Sequence, residues 1–346
     1  TNYLHMASKE NIQPQRTPIE KIGKSKLIER LLSGQDNSLC DNVSSYQNTG
    51  GSLFTSHTLL LEGTDFNLVY NPIKHLGYKA VITSLGPIYA SLHTPVAISV
   101  RVGLSARFFT EDVEELWEGM SAAMREHNIE VSGVDLQPSL TGLTISVSTL
   151  GKQQKELFVQ RKKVVSGDLI CISGSPGAAF MGLQVLEREK RAFEGKDGLQ
   201  PKLEGYKFIL KRYLSPELDK TLHETLLNNE IIPSEGEFIA KGLSDAVKRV
   251  CHRNGLGAQI YLDKIPIASQ TFNMADELGI DVTTAALNGG DDMLILYVIP
   301  LSDYEKLSKE LPALDIIGHL TSAGSGTMLV TPDGTPIPLK AQGWSD

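Results

Sequence analysis

From Gly23 onward, apolar and polar positions fall into blocks of two periods, one near 3.6 residues and one of two, and the blocks alternate along the chain. Residues 1–22 are polar, carry Pro14 and Pro18, and read as a leader that adds little to a core. The pattern then predicts a short helix over 26–32, a strand over 53–61 and a helix beginning near Ile73. A strand over 96–102 follows, then a helix opened by Thr110, Glu111 and Asp112 and running to about 127, where a threonine cap precedes first-turn acids. Val131 and the alternating run TGLTISVST over 141–149 read as further strands, with Asp135 in a polar loop between them.

A second unit begins after the polar RKKVVS stretch at 161–166. An apolar strand over 168–173 runs into Gly174, Pro176 and Gly177, and a helix with Phe180, Leu183 and Leu186 on one face follows. Helices near 216–228, 243–253, 268–279 and 302–310 then alternate with strands near 258–262, 293–299 and 314–320. Such alternation predicts α/β layers rather than a bundle or a sandwich. The boundary between the two units falls near 155–165.

Length agrees with that division, because 346 residues exceed one ordinary core. With 41% hydrophobic and 21% charged residues, both halves are expected to fold. No apolar run reaches the roughly 18 residues a bilayer crossing needs, and residues 1–24 lack the apolar segment of a secretory signal, so a cytoplasmic protein without membrane contact is expected. A net charge of −8 without a basic stripe argues against nucleic acid as a partner. Cys40, Cys171 and Cys251 suit neither a disulfide framework nor a CxxC metal site, and read as buried small residues.

Few motifs stand alone. Gly23-Lys24-Ser25 ends like a phosphate-binding loop, but the first glycine of that motif falls on Pro18 and no buried strand precedes it. Gly174-Ser-Pro-Gly177 sits where a strand feeds a helix, a place whose free N–H groups can hold phosphate; the same glycines also serve a plain tight turn. Asn288-Gly-Gly-Asp-Asp292 places paired carboxylates before an apolar strand, suited to a metal, a polar substrate or simply water. The eight histidines show no zinc spacing, and no GxSxG elbow is present.

Taken together, LLLEG at 59–63, PIKHLGYK at 72–79, SLTGLTISV at 139–147, SGSPGAAFMGLQVLE at 173–187, AALNGG at 285–290 and LKAQGW at 339–344 resemble the thiamine-monophosphate kinase family. That family lies in the superfamily of aminoimidazole ribonucleotide synthetase. The resemblance implies a two-domain α/β fold: a nucleotide-binding and dimerisation domain over 23–160, whose sheet pairs with a second subunit into a barrel, and a C-terminal α/β domain over 161–346. It implies transfer of the γ-phosphoryl group of ATP to thiamine monophosphate, with Mg²⁺ held by aspartates to neutralise charge, and a homodimer with nucleotide or thiamine phosphate as ligand.

Carried over by position, the resemblance places metal binding on Asp41 and Asp135, nucleotide binding on Asp41, Asn42, Gly133, Asp135, Arg161 and Lys241, and catalysis on Asp135 and Arg161. Substrate contacts fall on Asp65, Asp291, Asp292 and Trp344. Several family acids are missing. Its Gly-Asp-Asp-Ala-Ala loop falls on Cys40 to Ser44, keeping Asp41 but placing Asn42 at the second acid; an aspartate falls on Thr58; a histidine falls on Asp65; a Ser-Asp pair falls on Gly86-Pro87. The Gly-Gly-Asp-Thr motif becomes Gly133-Val134-Asp135-Leu136, and Asp-Ile-Ser-Asp-Gly-Leu falls on Phe238 to Leu243, replacing two acids with Phe238 and Lys241. Gly-Gly-Glu-Asp-Tyr-Glu falls on Gly289 to Leu294, which keeps the first acidic pair. A weak or inactive family member is therefore expected. The alternatives are an active phosphotransferase with ligands rebuilt from Asp41, Asp65, Asp135, Asp291 and Asp292, or a regulatory or structural paralogue.

Overall fold

The structure is a computed structural model, and it describes residues 19–22, 24–31, 39–40, 43–48, 51–153, 160–194 and 203–344. Two short helices, α1 (Ile19–Ile22) and α2 (Lys24–Leu31), precede a six-stranded sheet. Its strands are β1 (Leu39–Cys40), β2 (Val43–Asn48), β3 (Gly51–Leu61), β4 (His93–Leu104), β5 (Glu130–Pro138) and β6 (Thr144–Gln153), in the spatial order β1-β2-β3-β6-β4-β5. All neighbours are antiparallel except β4 and β5. Those two are parallel because helix α4 (Thr110–Glu126) carries the chain back between them, as a parallel pair requires. Phe109 rather than Thr110 is the residue before α4, and the Asp112 carboxylate reaches back 2.8 Å to accept its N–H.

Helix α3 (Ile73–Ala90) lies between this sheet and the next. Thirteen of its residues are buried, including Lys79, because it is enclosed on more than one side. The second sheet has seven strands: β7 (Leu169–Ser173), β8 (Glu235–Ile239), β9 (Leu256–Tyr261), β10 (Leu294–Ile299), β11 (Leu314–Ser322), β12 (Thr327–Val330) and β13 (Pro336–Pro338), in the order β13-β12-β9-β11-β7-β10-β8. Every residue of β10, LILYVI, is buried, the signature of a strand covered on both faces. The helices of this unit are α5 (Ala178–Phe193), α6 (Lys207–Leu214), α7 (Lys220–Asn228), α8 (Leu243–Asn254), α9 (Ser269–Leu278), α10 (Val282–Asn288) and α11 (Tyr304–Glu310).

One apolar core joins Leu76, Ile82, Leu85, Val100 and Ile145 of the first unit to Cys171, Ile295, Tyr297 and Leu307 of the second. Strand β8 comes so close to the end of α3 that a Cβ on Gly236 would lie 2.0 Å from the Ala90 carbonyl oxygen. Cys171 and Cys251 are buried and free. Among the described residues no helix is long and apolar enough to cross a membrane.

Asp135 lies within strand β5, not in a loop. The polar reading of that stretch arose because every residue of β5 is exposed. Register nevertheless sets Val131, Val134 and Leu136 beside Ile98, Val100 and Val102, which are buried. The apolar row thus runs past its cover to an edge strand where these three residues are 45%, 49% and 49% exposed.

Candidate functional site

Between the two sheets lies a cavity of about 600 Å³. It is lined by α3, by Phe54 and Leu60 of β3 with Phe66 of the turn after it, and by β8 and the Asp245, Arg249 and Arg253 side of α8. Asp65 accepts the Leu61 N–H at 2.7 Å and so closes the turn after β3 while lining the cavity.

The glycine turn before β10 delivers Asp291. Asp291 and Met293 hold φ values of 58° and 54°, a region that non-glycine residues rarely adopt. Two contacts pin this strain: the Asp291 N–H donates to the Ala240 carbonyl at 2.7 Å, and Arg212 donates to the Asp292 carbonyl at 2.8 Å. In the cavity the Asp291 carboxylate faces Lys79 at 3.3 Å. The Lys79 ammonium is almost wholly buried and lies 4.0 Å from the centre of the Tyr213 ring, whose face offers a second attraction to the cation.

Asp292 turns the other way, into the protein. Its Oδ1 accepts the Gly177 N–H at 2.9 Å, where Gly177, at φ 92°, precedes α5. The strand-to-helix turn at Gly174–Gly177 therefore receives a carboxylate from the chain itself at the place where the sequence suggested phosphate. Burial drives the Asp292 carboxyl up to about 8, against the pull of the Gly177 N–H and of Arg212.

The β8 wall is a network of acids and arginines. Glu235 and Glu237 alternate with Gly236, so both carboxylates lie on one side of the strand and meet Arg253; its Nε reaches Glu235 at 2.7 Å and its Nη2 reaches Glu237 at 2.6 Å. Burial pushes the Glu237 carboxyl up, and Arg253 and Arg249 pull it back. Asp245 binds Arg249 at 2.8 Å and accepts the Trp344 indole N–H at 2.9 Å, which ties the end of the described chain to the cavity wall. Arg161 also lines the cavity, and its Nε donates to the Pro233 carbonyl at 3.2 Å.

Phe238, where the resemblance expects an acid, lies against Gly86, where it expects the serine of the Ser-Asp pair. A Cβ on Gly86 would lie 2.2 Å from the Phe238 ring, so the ring lies directly against the glycine. Pro87 beside it lines the cavity with no polar side chain and no backbone donor. The acids that remain are each engaged: Asp65 by a backbone N–H, Asp291 by Lys79, Asp245 by Arg249, Glu235 and Glu237 by Arg253. Among the described residues no group of three or more His, Cys, Asp or Glu is placed to hold a metal ion.

Of the residues named from sequence, the cavity gathers Asp65, Arg161, Lys241 and Asp291. Trp344 reaches it through Asp245. Asp292 lies beneath α5. Gly133 and Asp135 stand on the exposed edge strand, outside this cavity, where Asp135 takes a long hydrogen bond from Gln137 at 3.4 Å. Asp41 and Asn42 lie outside the described residues. Sequence reasoning missed Lys79, Glu235, Glu237, Asp245, Arg249 and Arg253. A lone lysine in the apolar stretch before AVITSLGPIYA, and two glutamates at spacing two, were the available signals.

Residues 41–153 match the model of AIR synthase related protein, N-terminal domain. Over most of its length the chain is similar to curated thiamine-monophosphate kinases, and it shares the fold of solved ones. A thiamine-monophosphate kinase of Synechococcus elongatus is 26% identical over 277 residues, covering 79% of this chain and 80% of the relative. A putative hydrogenase expression/formation protein of Methanocaldococcus jannaschii is 23% identical, covering 80% and 82%. AaThiL complexed with AMPPCP and TMP shares the fold at a TM-score of 0.78 and 21% identity, covering 93% of this chain and 97% of that one.

Proposed function

We propose that this chain is a thiamine-monophosphate kinase-like protein in which phosphoryl transfer is weak or absent. The observation that carries the reading is the contact between Phe238 and Gly86. Transfer between two anionic reactants depends on cations placed against the charge that develops on the phosphoryl oxygens. Magnesium takes oxygen ligands in a near-octahedral shell, and an aromatic ring packed on glycine supplies none. Purified protein given ATP, Mg²⁺ and thiamine monophosphate is expected to form negligible thiamine diphosphate. Turnover of about 1 s⁻¹, the low end for ordinary enzymes, contradicts this reading and favours a site rebuilt around Asp65 and Asp291.

The same reading includes a homodimer. An edge strand with unpaired backbone groups and an uncovered apolar row invites a partner strand, and Val131, Val134 and Leu136 of β5 form such a row. Sedimentation at micromolar protein is expected to give twice the chain mass, and Val134→Asp is expected to give a monomer. A wild-type monomer under those conditions contradicts the pairing.

A further inference from the structure

We propose that helix α7 is an acid-released clasp: it holds the two units together at the C-terminal ends of α3 and α4 through His127, Tyr89 and His223, and lets go when the two histidines take up protons. In chain order α7 lies between β7 and β8, two strands of the second sheet, yet it grips the first unit. Leu218, Leu222, Leu226 and Ile231 join the core that contains Tyr89, Leu92 and Met124. Lys220 donates to the Glu126 carbonyl at 2.7 Å, in the last turn of α4, where the helix dipole favours a cation.

Tyr89 meets two histidine rings from two other helices. His127, at the end of α4, lies 5.5 Å away between ring centres and shares a 2.7 Å hydrogen bond through Nδ1 with the Tyr89 hydroxyl. His223 of α7 stands edge-on to the same ring at 6.2 Å. All three residues are more than nine-tenths buried. Among the described residues, nothing partners Nε2 of His127 or either ring nitrogen of His223. A neutral imidazole tolerates this place, but an imidazolium carries an N–H on both nitrogens and a charge besides, and burying such a group unpartnered is strongly unfavourable. The surroundings do little to offset it. Glu126 and Glu224, each next to its histidine in the chain, favour the charged rings, but both are exposed, and Tyr78 of α3 already donates to Glu126 at 2.8 Å. From other elements, Lys220 of α7 faces His127 as a cation, and His223 faces His93 of β4, a buried histidine beside Arg161. Burial holds both His127 and His223 below the ordinary 6.5.

The way α7 is joined to the chain makes its release local. Residues 215–219 before it and 229–234 after it form neither helix nor strand. Beyond it the Ser234 N–H donates to the Val298 carbonyl at 2.8 Å, and β8 pairs with β10 from Glu235 to Ile239. Lifting α7 therefore breaks side-chain contacts and the Lys220 bond but no strand pairing, the kind of segment that opens below the free energy of global unfolding. The sign follows from the histidines. Each is depressed in the closed state, so the stability it gives the clasp is complete above pH 6.5 and is lost as pH falls below it, by at most about tenfold per pH unit for each proton taken up. At pH 5 His93, held lower at about 4, is still neutral, which separates the clasp from it.

Amide hydrogen exchange of the full chain at pH 7.5 and at pH 5, with labelling times scaled to the intrinsic rates, tests this. Protection over 218–231 is expected to fall about tenfold or more at pH 5, while β6 and β10 keep theirs. His223→Phe leaves a ring against Tyr89 and removes both unpartnered nitrogens, so it is expected to match wild type at pH 7.5 and to reduce the acid loss severalfold. Adding His127→Gln, which keeps a hydrogen-bonding group for Tyr89, is expected to abolish the loss. If His223→Phe already exposes 218–231 at pH 7.5, His223→Gln takes its place and the same results decide. Equal protection of 218–231 at the two pH values, a loss spread evenly over all strands, or an undiminished acid loss in the double variant overturns the inference.

Discussion

Alanine at Gly86 is expected to destabilise the protein by about 1–3 kcal/mol, the usual cost of forcing a group into a filled space. Elsewhere in a helix interior the same change gains roughly 1 kcal/mol. The sign reverses here because the new methyl meets three atoms of the Phe238 ring at 2.2–2.4 Å. Phe238→Ala removes the ring and costs about 2 kcal/mol, less than a fully enclosed phenylalanine because Phe238 is only half-buried. The informative measurement is the double variant. With the ring gone, the cost of Gly86→Ala should fall toward zero, and only the mild restriction on a residue before Pro87 should remain. Urea midpoints of the four proteins give the coupling, expected at about 1–2 kcal/mol. Strict additivity contradicts the contact, and with it the argument that an aromatic ring stands where the family's acids are expected.

That contact also marks the limit of what the sequence disclosed. The resemblance identified Gly86-Pro87 and Phe238 as separate departures. Nothing in either segment says that they meet, because α3 and β8 are brought together only by the packing of the two sheets. Strands whose environment is uniform were legible: LILYVI of β10, buried throughout, and the alternating run of β6. Strand β8 was not legible, since EGEFI carries two acids whose partner Arg253 lies on α8. Helix α10 was hidden by its β-branched start, Val282-Thr-Thr, although Asp281 before it accepts the N–H groups of Thr283 and Thr284 as a cap. Helix α7 begins at Lys220 rather than 216, because Asp219 accepts the N–H groups of Thr221 and Leu222. Asp292 illustrates the same limit at the site. Its acid pair with Asp291 was visible, but its bond to Gly177, 115 residues away, could not be read from either turn.

Acid is expected to weaken the fold through histidines held neutral at the seam between the two units. His93 is buried, stacks on Phe54 at 4.9 Å, and sets Nδ1 against the hydroxyl and carbonyl of Ser91. Burial lowers it to about 4 from an ordinary 6.5; the Ser91 carbonyl resists, and Arg161 and His223 add to the fall. Burial also lowers His127, which shares a 2.7 Å hydrogen bond with Tyr89 and faces Glu126 and Lys220, and His223, which faces Glu224. A folded value below the unfolded one means that the unfolded chain binds more protons between the two. The stability they contribute is therefore complete above pH 6.5 and is lost below it, for His93 as pH falls toward 4. For His93 alone the fall from 6.5 to about 4 is on the order of 3 kcal/mol. Asp292, raised to about 8, works with the opposite sign, since its contribution is lost as pH rises through that value. The wild-type slope mixes the two, so the readout is the difference between wild type and His93→Gln, measured by urea unfolding from pH 7.5 down to 4. The variant keeps a hydrogen-bonding side chain and removes one titration, so it should gain about 3 kcal/mol relative to wild type across that range. Parallel pH profiles for the two proteins would mean that His93 is not held neutral by the fold.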